Sequence, residues 1–176
     1  ATQATQAGWA ELLQARDLQR DLQRNLPHAP DASHPAHGPH EACDYAEHAS
    51  EQASYALDLL QARGELDPDS AEVEAFVQAY IKDVTMHEVG HTLGLRHNFR
   101  ASRVYSEDQL ADPAFGQSQA LTGSVMEYAP VNLGLPGAPA PAPFQSTLGP
   151  YDFWAIEYAY RPFAAEQEAA ELARIA

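Results

Sequence analysis

In "MHEVGHTLGLRH", residues 86–97, three histidines and a glutamate stand at spacings that a metal site would use. On an α-helix, positions four apart are turned by only about 40° and separated by about 6 Å along the axis. His87 and His91 therefore project side by side and can offer two imidazole nitrogens to one ion. Glu88, turned about 100° from His87, can reach a water on that ion without ligating it. His97 could not join them on a continuing helix, because six further residues carry it about 9 Å along and about 240° around. The helix has to end between His91 and His97. Gly94 stands where the chain must turn, and glycine enters the left-handed region without a steric penalty. The spacing thus predicts two helical ligands, a forced turn and a third ligand returning to the same ion. Three neutral imidazoles plus water make an open tetrahedral zinc site, with Zn2+ as the expected cofactor. The competing reading is a buried helix whose histidines are satisfied by hydrogen bonds. It accounts for one histidine more readily than for five matched positions.

The elements around this stretch read mainly as helices. "LDPDSAEVEAF" carries a start signal, with Asp67 as N-cap, Pro68 at the first helical position, and Asp69 and Glu72 in the first turn. Val73, Phe76, Val77, Tyr80, Ile81 and Val84 then form a 3–4 periodic stripe leading directly to His87 and Glu88. Met86, Val89 and Leu93 make the opposite face apolar too, so this helix is expected to be central and buried. Upstream, residues 8–26 form an amphipathic pattern, and residues 41–63 an Ala/Leu-rich helix with Gly64 as its stop. "PHAPDASHPAHGPH" between them is a Pro/His-rich linker. Beyond Gly94, residues 98–149 are rich in Gly, Pro, Ser and Asn and read as extended, irregular chain with a polyproline-like loop. "GPYDFWAIEYAY" resumes helical spacing, with Pro150 at the first helical position and Phe153, Trp154 and Ile156 as core candidates. "FAAEQEAAELARIA" reads as a short terminal helix, and no convincing alternating strand is found. The expected organisation is residues 1–40 as N-terminal helix and linker, and 41–176 as the catalytic core.

The 176 residues are 45% apolar and carry a formal charge of −15, from 25 acidic against 10 basic side chains. Such a charge repels phosphate backbones, so nucleic acid is not expected as a partner. No apolar run is long enough for a transmembrane segment, and the chain does not open with a signal peptide. Cys43 is the single cysteine, so no internal disulfide can form. It reads as a small apolar side chain rather than a catalytic thiol, which would need an activating base. His34, His37, His40 and Cys43 fall three apart and could gather a second metal, but a solvated linker is the simpler expectation.

H-E-x-x-H-x-x-G-x-x-H followed by "SVMEY", residues 124–128, resembles the metzincin zinc endopeptidases. "YIKDVTMHEVGHTLGLRHNFRAS", "SVMEYAPVNLG" and "LGPYDFWAIEY" together resemble the bacterial exported Met-zincin family over about residues 41–160. That resemblance implies a methionine turn beneath the metal ligands, with Met126 at its hydrophobic floor. It also implies Tyr128 as an additional, displaceable zinc ligand; otherwise Tyr128 is an ordinary core aromatic. Asn98 follows the third histidine where several metzincin subfamilies carry an acidic residue or serine, so their substrate preferences do not transfer.

The function expected on these grounds is endoproteolysis of a protein or peptide substrate. His87, His91 and His97 would hold zinc, and Glu88 would serve as general base and then general acid. The alternative is a zinc-binding fragment or accessory module without turnover of its own. Metzincins bind extended peptide against a sheet that lies mostly before the H-E-x-x-H helix, yet residues 1–86 read as helices and linker. The chain is therefore expected to be a fragment of an α+β zincin fold whose sheet lies outside it, with the remainder of the parent protease as partner. An extracellular or periplasmic location is implied by the family resemblance.

Overall fold

The computed structural model describes residues 43–176. Their elements are α1 (Tyr45–Ala62), α2 (Ala71–Thr92), a 3-10 turn (Ala101–Arg103), α3 (Glu107–Ala111), α4 (Pro113–Ser118), α5 (Pro150–Tyr160) and α6 (Glu168–Ile175). Among the described residues the chain is mainly helical and has no strand. The expected N-terminal helix over residues 8–26 and the histidines His34, His37 and His40 lie outside the described residues.

The core forms where α1 packs on α2. Ala53, Ala56 and Leu57 of α1 meet Phe76 of α2 and Phe144 of the proline-rich loop, with Leu60, Val73, Tyr80, Val131 and Leu133 around them. Small alanines on α1 let the two helices approach, and Phe76 meets Phe144 edge-on at 5.0 Å between centroids. At the far end of this contact, the Tyr45 hydroxyl donates to Asp83 at 2.7 Å inside the core. The α1 stop falls at Gly64, as its sequence position predicts.

Helix α2 begins later than expected. Ser70, not Asp67, is its N-cap residue. Asp67 serves an earlier turn: its carboxylate accepts from the Asp69 N–H at 3.1 Å and its carbonyl from the Ser70 N–H at 3.0 Å. Nor is α2 buried all round. Phe76, Asp83, His87 and Gly90 are buried, whereas Ile81, Val89 and Leu93 on the other side are exposed.

The Gly/Pro-rich region is mostly irregular, but it contains two short helices that its overall composition hides. A reciprocal Ser106–Gln109 capping box starts α3, and the Asp112 carboxylate caps α4 ahead of Pro113. Pro150 opens α5 as expected. The core candidates on α5 are corrected, however: Asp152 and Ala155 are buried, Phe153 and Trp154 are exposed, and Ile156 is half-buried. An apolar helix face faces inward only if another element lies over it; α5 instead contacts α6 through the Trp154 indole N–H, which donates to the Ile175 carbonyl at 2.8 Å.

Candidate metal centre

The last turns of α2 carry His87, Glu88 and His91, and the helix then stops as the spacing requires. Gly94 adopts φ +80°. Its N–H reaches the His91 carbonyl at 2.9 Å, and the Leu95 N–H reaches the Gly90 carbonyl at 3.0 Å. These two bonds define a Schellman stop, which reverses the chain within one turn. His97 is thereby returned to His91, with 3.1 Å between their Nε2 atoms.

The ring orientations follow from carbonyl acceptors. His87 Nδ1 lies 2.7 Å from the Val125 carbonyl and His91 Nδ1 lies 3.1 Å from the Leu95 carbonyl. A carbonyl can only accept, so each Nδ1 carries a proton, and in the neutral ring each Nε2 then turns a lone pair toward the cluster. His87 is fully buried. Burial pulls its pKa down to about 4, with His91 and His97 adding to the drop and the Val125 carbonyl opposing it. It is therefore a neutral donor at physiological pH. Metal-ligating histidines commonly have their second nitrogen held in this way.

Residues 124–128 run beneath the histidines. Met126 is fully buried, and its sulfur would lie 2.3 Å from a Cβ placed on Gly90, so glycine permits this close approach to α2. The Asn98 N–H binds the Met126 carbonyl at 2.9 Å, fastening the segment after His97 to the same turn. Asp152 at the start of α5 holds the turn from below. Its buried carboxylate accepts from Ser124 Oγ at 2.6 Å, Val125 N–H at 2.9 Å and Gly149 N–H at 2.8 Å. Val125 thus has its N–H fixed by Asp152 and its carbonyl on His87. Glu127 is buried too, accepting from the Ser102 N–H at 3.1 Å.

Above the histidines stands a residue that spacing arguments did not associate with them. Cys43 Sγ lies 3.4 Å from His87 Nε2, 3.6 Å from Glu88 Oε1 and 3.4 Å from the Tyr128 hydroxyl. The Tyr128 hydroxyl donates to Asp44 Oδ1 at 2.9 Å and accepts from the Asp44 N–H at 3.2 Å. Next along, the Tyr45 ring packs against His87 at 4.4 Å and Tyr128 at 4.9 Å between centroids. Burial, the largest influence, pushes the Cys43 thiol above its ordinary pKa. That is the reverse of what a nucleophilic thiol needs. Cys43 thus stands at the main histidine site; His34, His37 and His40 lie outside the described residues. No sequence pattern links positions 43 and 87; the start of α1 supplies the proximity.

The donor set fits zinc. Ligating atoms of Cys43, His87, His91 and His97 all lie within 4.8 Å of one another. Bond lengths of about 2.0–2.1 Å to nitrogen and about 2.3 Å to sulfur imply tetrahedral edges of about 3.3 Å for N–N and about 3.6 Å for N–S. The His91–His97 contact at 3.1 Å and the Cys43–His87 contact at 3.4 Å are close to those edges, and the other donor pairs lie within 4.8 Å.

Comparison with known proteins agrees with this geometry. A family model described as Met-zincin matches residues 69–176, which include His87, Glu88, His91, Gly94, His97, Met126 and Tyr128. No curated protein and no solved structure matches the chain. The match takes in more than half of the sequence and every position of the histidine motif, and the chain belongs to the Met-zincin family.

Proposed function

We propose that this chain carries the catalytic centre of a zinc-dependent endopeptidase. The observation that supports this most is the meeting of His87, His91 and His97 around one point, with the Glu88 carboxylate beside it. His87, His91 and His97 hold the metal. Bound there, zinc supplies Lewis acidity, polarising a carbonyl and acidifying water. Glu88 is the proton carrier: it accepts a proton from the attacking water and returns it to the departing amine. Tyr128, beside His97 at 4.8 Å between ring centroids, is placed to donate its hydroxyl proton to a developing oxyanion. Met126 and Gly94 serve structure, the first as packing under the ligands and the second as the turn that returns His97.

The substrate is a protein or peptide. A strand-bearing part of the catalytic domain, from the remainder of the parent protease, completes the cleft. The absence of strands among the described residues and the exposed Val89, Leu93, Phe153 and Trp154 support this partner. Among the described residues no helix is long and apolar enough to cross a membrane. We place the protein outside the cytoplasm, in the extracellular or periplasmic space, on the family resemblance.

The test is Glu88→Gln. One zinc per chain should remain by elemental analysis, while peptide cleavage falls by about 10²- to 10⁴-fold. Undiminished cleavage would remove Glu88 from the mechanism. Bound zinc with no chelator-sensitive cleavage either by the unaltered chain or by Cys43→Ser, which removes the thiol beside His87, would favour the module without turnover.

A further inference from the structure

The three histidines and Glu88 describe a centre that needs an open position for its substrate. The structure fills that position. Cys43 Sγ stands 3.4 Å from His87 Nε2 and faces Glu88 and Tyr128, the two side chains assigned to proton transfer and oxyanion stabilisation. Asp44 occupies the Tyr128 hydroxyl from both sides, as acceptor through Oδ1 and as donor through its N–H. The segment is fixed in place. Tyr45 begins α1, packs on His87 and anchors to Asp83 in the core, so the thiol is carried by a helix end rather than a free tail. Residue 43 also lies outside the span matched by the family, residues 69–176, so membership alone assigns it no role.

Catalytic zinc sites keep three protein ligands and one open position, whereas four protein ligands close the site. Resting on the zinc-peptidase reading above, we propose that Cys43 is the fourth protein ligand of the metal. The Cys43–Asp44 segment is then an autoinhibitory strap across the substrate position. On metal binding the sulfur coordinates as thiolate and its proton passes to solvent. The enzyme is latent while the strap is seated, and displacement or cleavage of the segment around residue 43 opens the centre.

The experiment uses the whole chain loaded with cobalt(II) in place of zinc. The unaltered protein should bind one cobalt per chain and show near-ultraviolet thiolate-to-cobalt charge-transfer absorption. Cys43→Ser should keep the stoichiometry and lose that absorption, and with zinc it should cleave peptide faster than the unaltered chain. A second measurement needs no variant: zinc should protect the chain's single thiol from alkylation, and chelator should restore labelling. One cobalt bound without the charge-transfer band, or a thiol that labels equally with and without zinc, overturns the strap while leaving the three-histidine site standing. Failure to bind cobalt or zinc at all overturns both.

Discussion

Gly94 is the residue on which the geometry of the site turns. Its φ of +80° is a left-handed conformation, and a Cβ added there would meet nothing within 4 Å. The penalty for Gly94→Ala is therefore one of backbone conformation alone, about 1–2 kcal/mol, without a packing contribution. The expected outcome is an unfolding free energy in urea lower by roughly that amount and weaker zinc binding, because the strained turn no longer holds His97 against His91. Unchanged zinc affinity in a titration against a competing chelator would show that the Schellman stop is not what positions His97. This feature was legible in the sequence because it is local: six residues of helix cannot return a side chain to the same ion. The Cys43 contact was illegible for the opposite reason. Nothing in its neighbours' spacing points across the fold, and its three-residue periodicity with His34, His37 and His40 pointed elsewhere. Asp152 shows a third case: its buried role depends on the Ser124 hydroxyl and the Val125 and Gly149 N–H groups, which only the folded turn brings to it.

At the scale of elements, the α1–α2 pair shows how a core contact can set a pH response. Asp83 is 3% exposed and holds the Tyr45 hydroxyl at 2.7 Å. Burial, opposed by that hydrogen bond, raises its pKa from the ordinary 3.8 to about 7. Between those values the folded chain keeps a proton that the unfolded chain has lost. Its contribution to stability is fully present below about pH 4 and fades as pH rises toward 7, at up to about 1.4 kcal/mol per pH unit. Comparing urea midpoints at pH 4.5 and pH 7 should show this loss relative to Asp83→Asn, which keeps an acceptor for Tyr45 but does not titrate in the window. Parallel profiles for the two proteins would place the titration elsewhere. The helix pair was foreseeable from apolar periodicity and the Gly64 stop. The exposed outer face of α2 was not, since periodicity records which faces are apolar and not which of them another element covers. The same limit explains α5, where Phe153 and Trp154 are apolar but uncovered among the described residues. The later start of α2 has a different origin, because Asp67 and Ser70 are both good cap residues and Asp67 is already used by the preceding turn.

For the molecule as a whole, the metal reading implies a dependence of stability on zinc. The buried apolar cluster draws on α1, α2 and Phe144, while the histidine site joins the end of α2 to the loop at His97 and, through Cys43, to the start of α1. A ligand that binds only the folded chain stabilises it by about 2.7 kcal/mol at a free concentration of 100 times Kd. For a chain of this length that corresponds to a rise in melting temperature of roughly 5–10 °C. Thermal unfolding across a zinc series should therefore move upward with concentration, and excess chelator should cancel the shift. His91→Ala removes a donor that is half-buried rather than central to the core, so its melting temperature should barely respond to zinc. The acidic surface, with a net charge of −15, attracts divalent cations in general, so magnesium at matched ionic strength is the control. Equal stabilisation by magnesium and zinc would trace the effect to surface charge. A shift that needs zinc and disappears with His91 would trace it to the three-histidine centre, because only a nitrogen-rich site distinguishes the two ions so strongly.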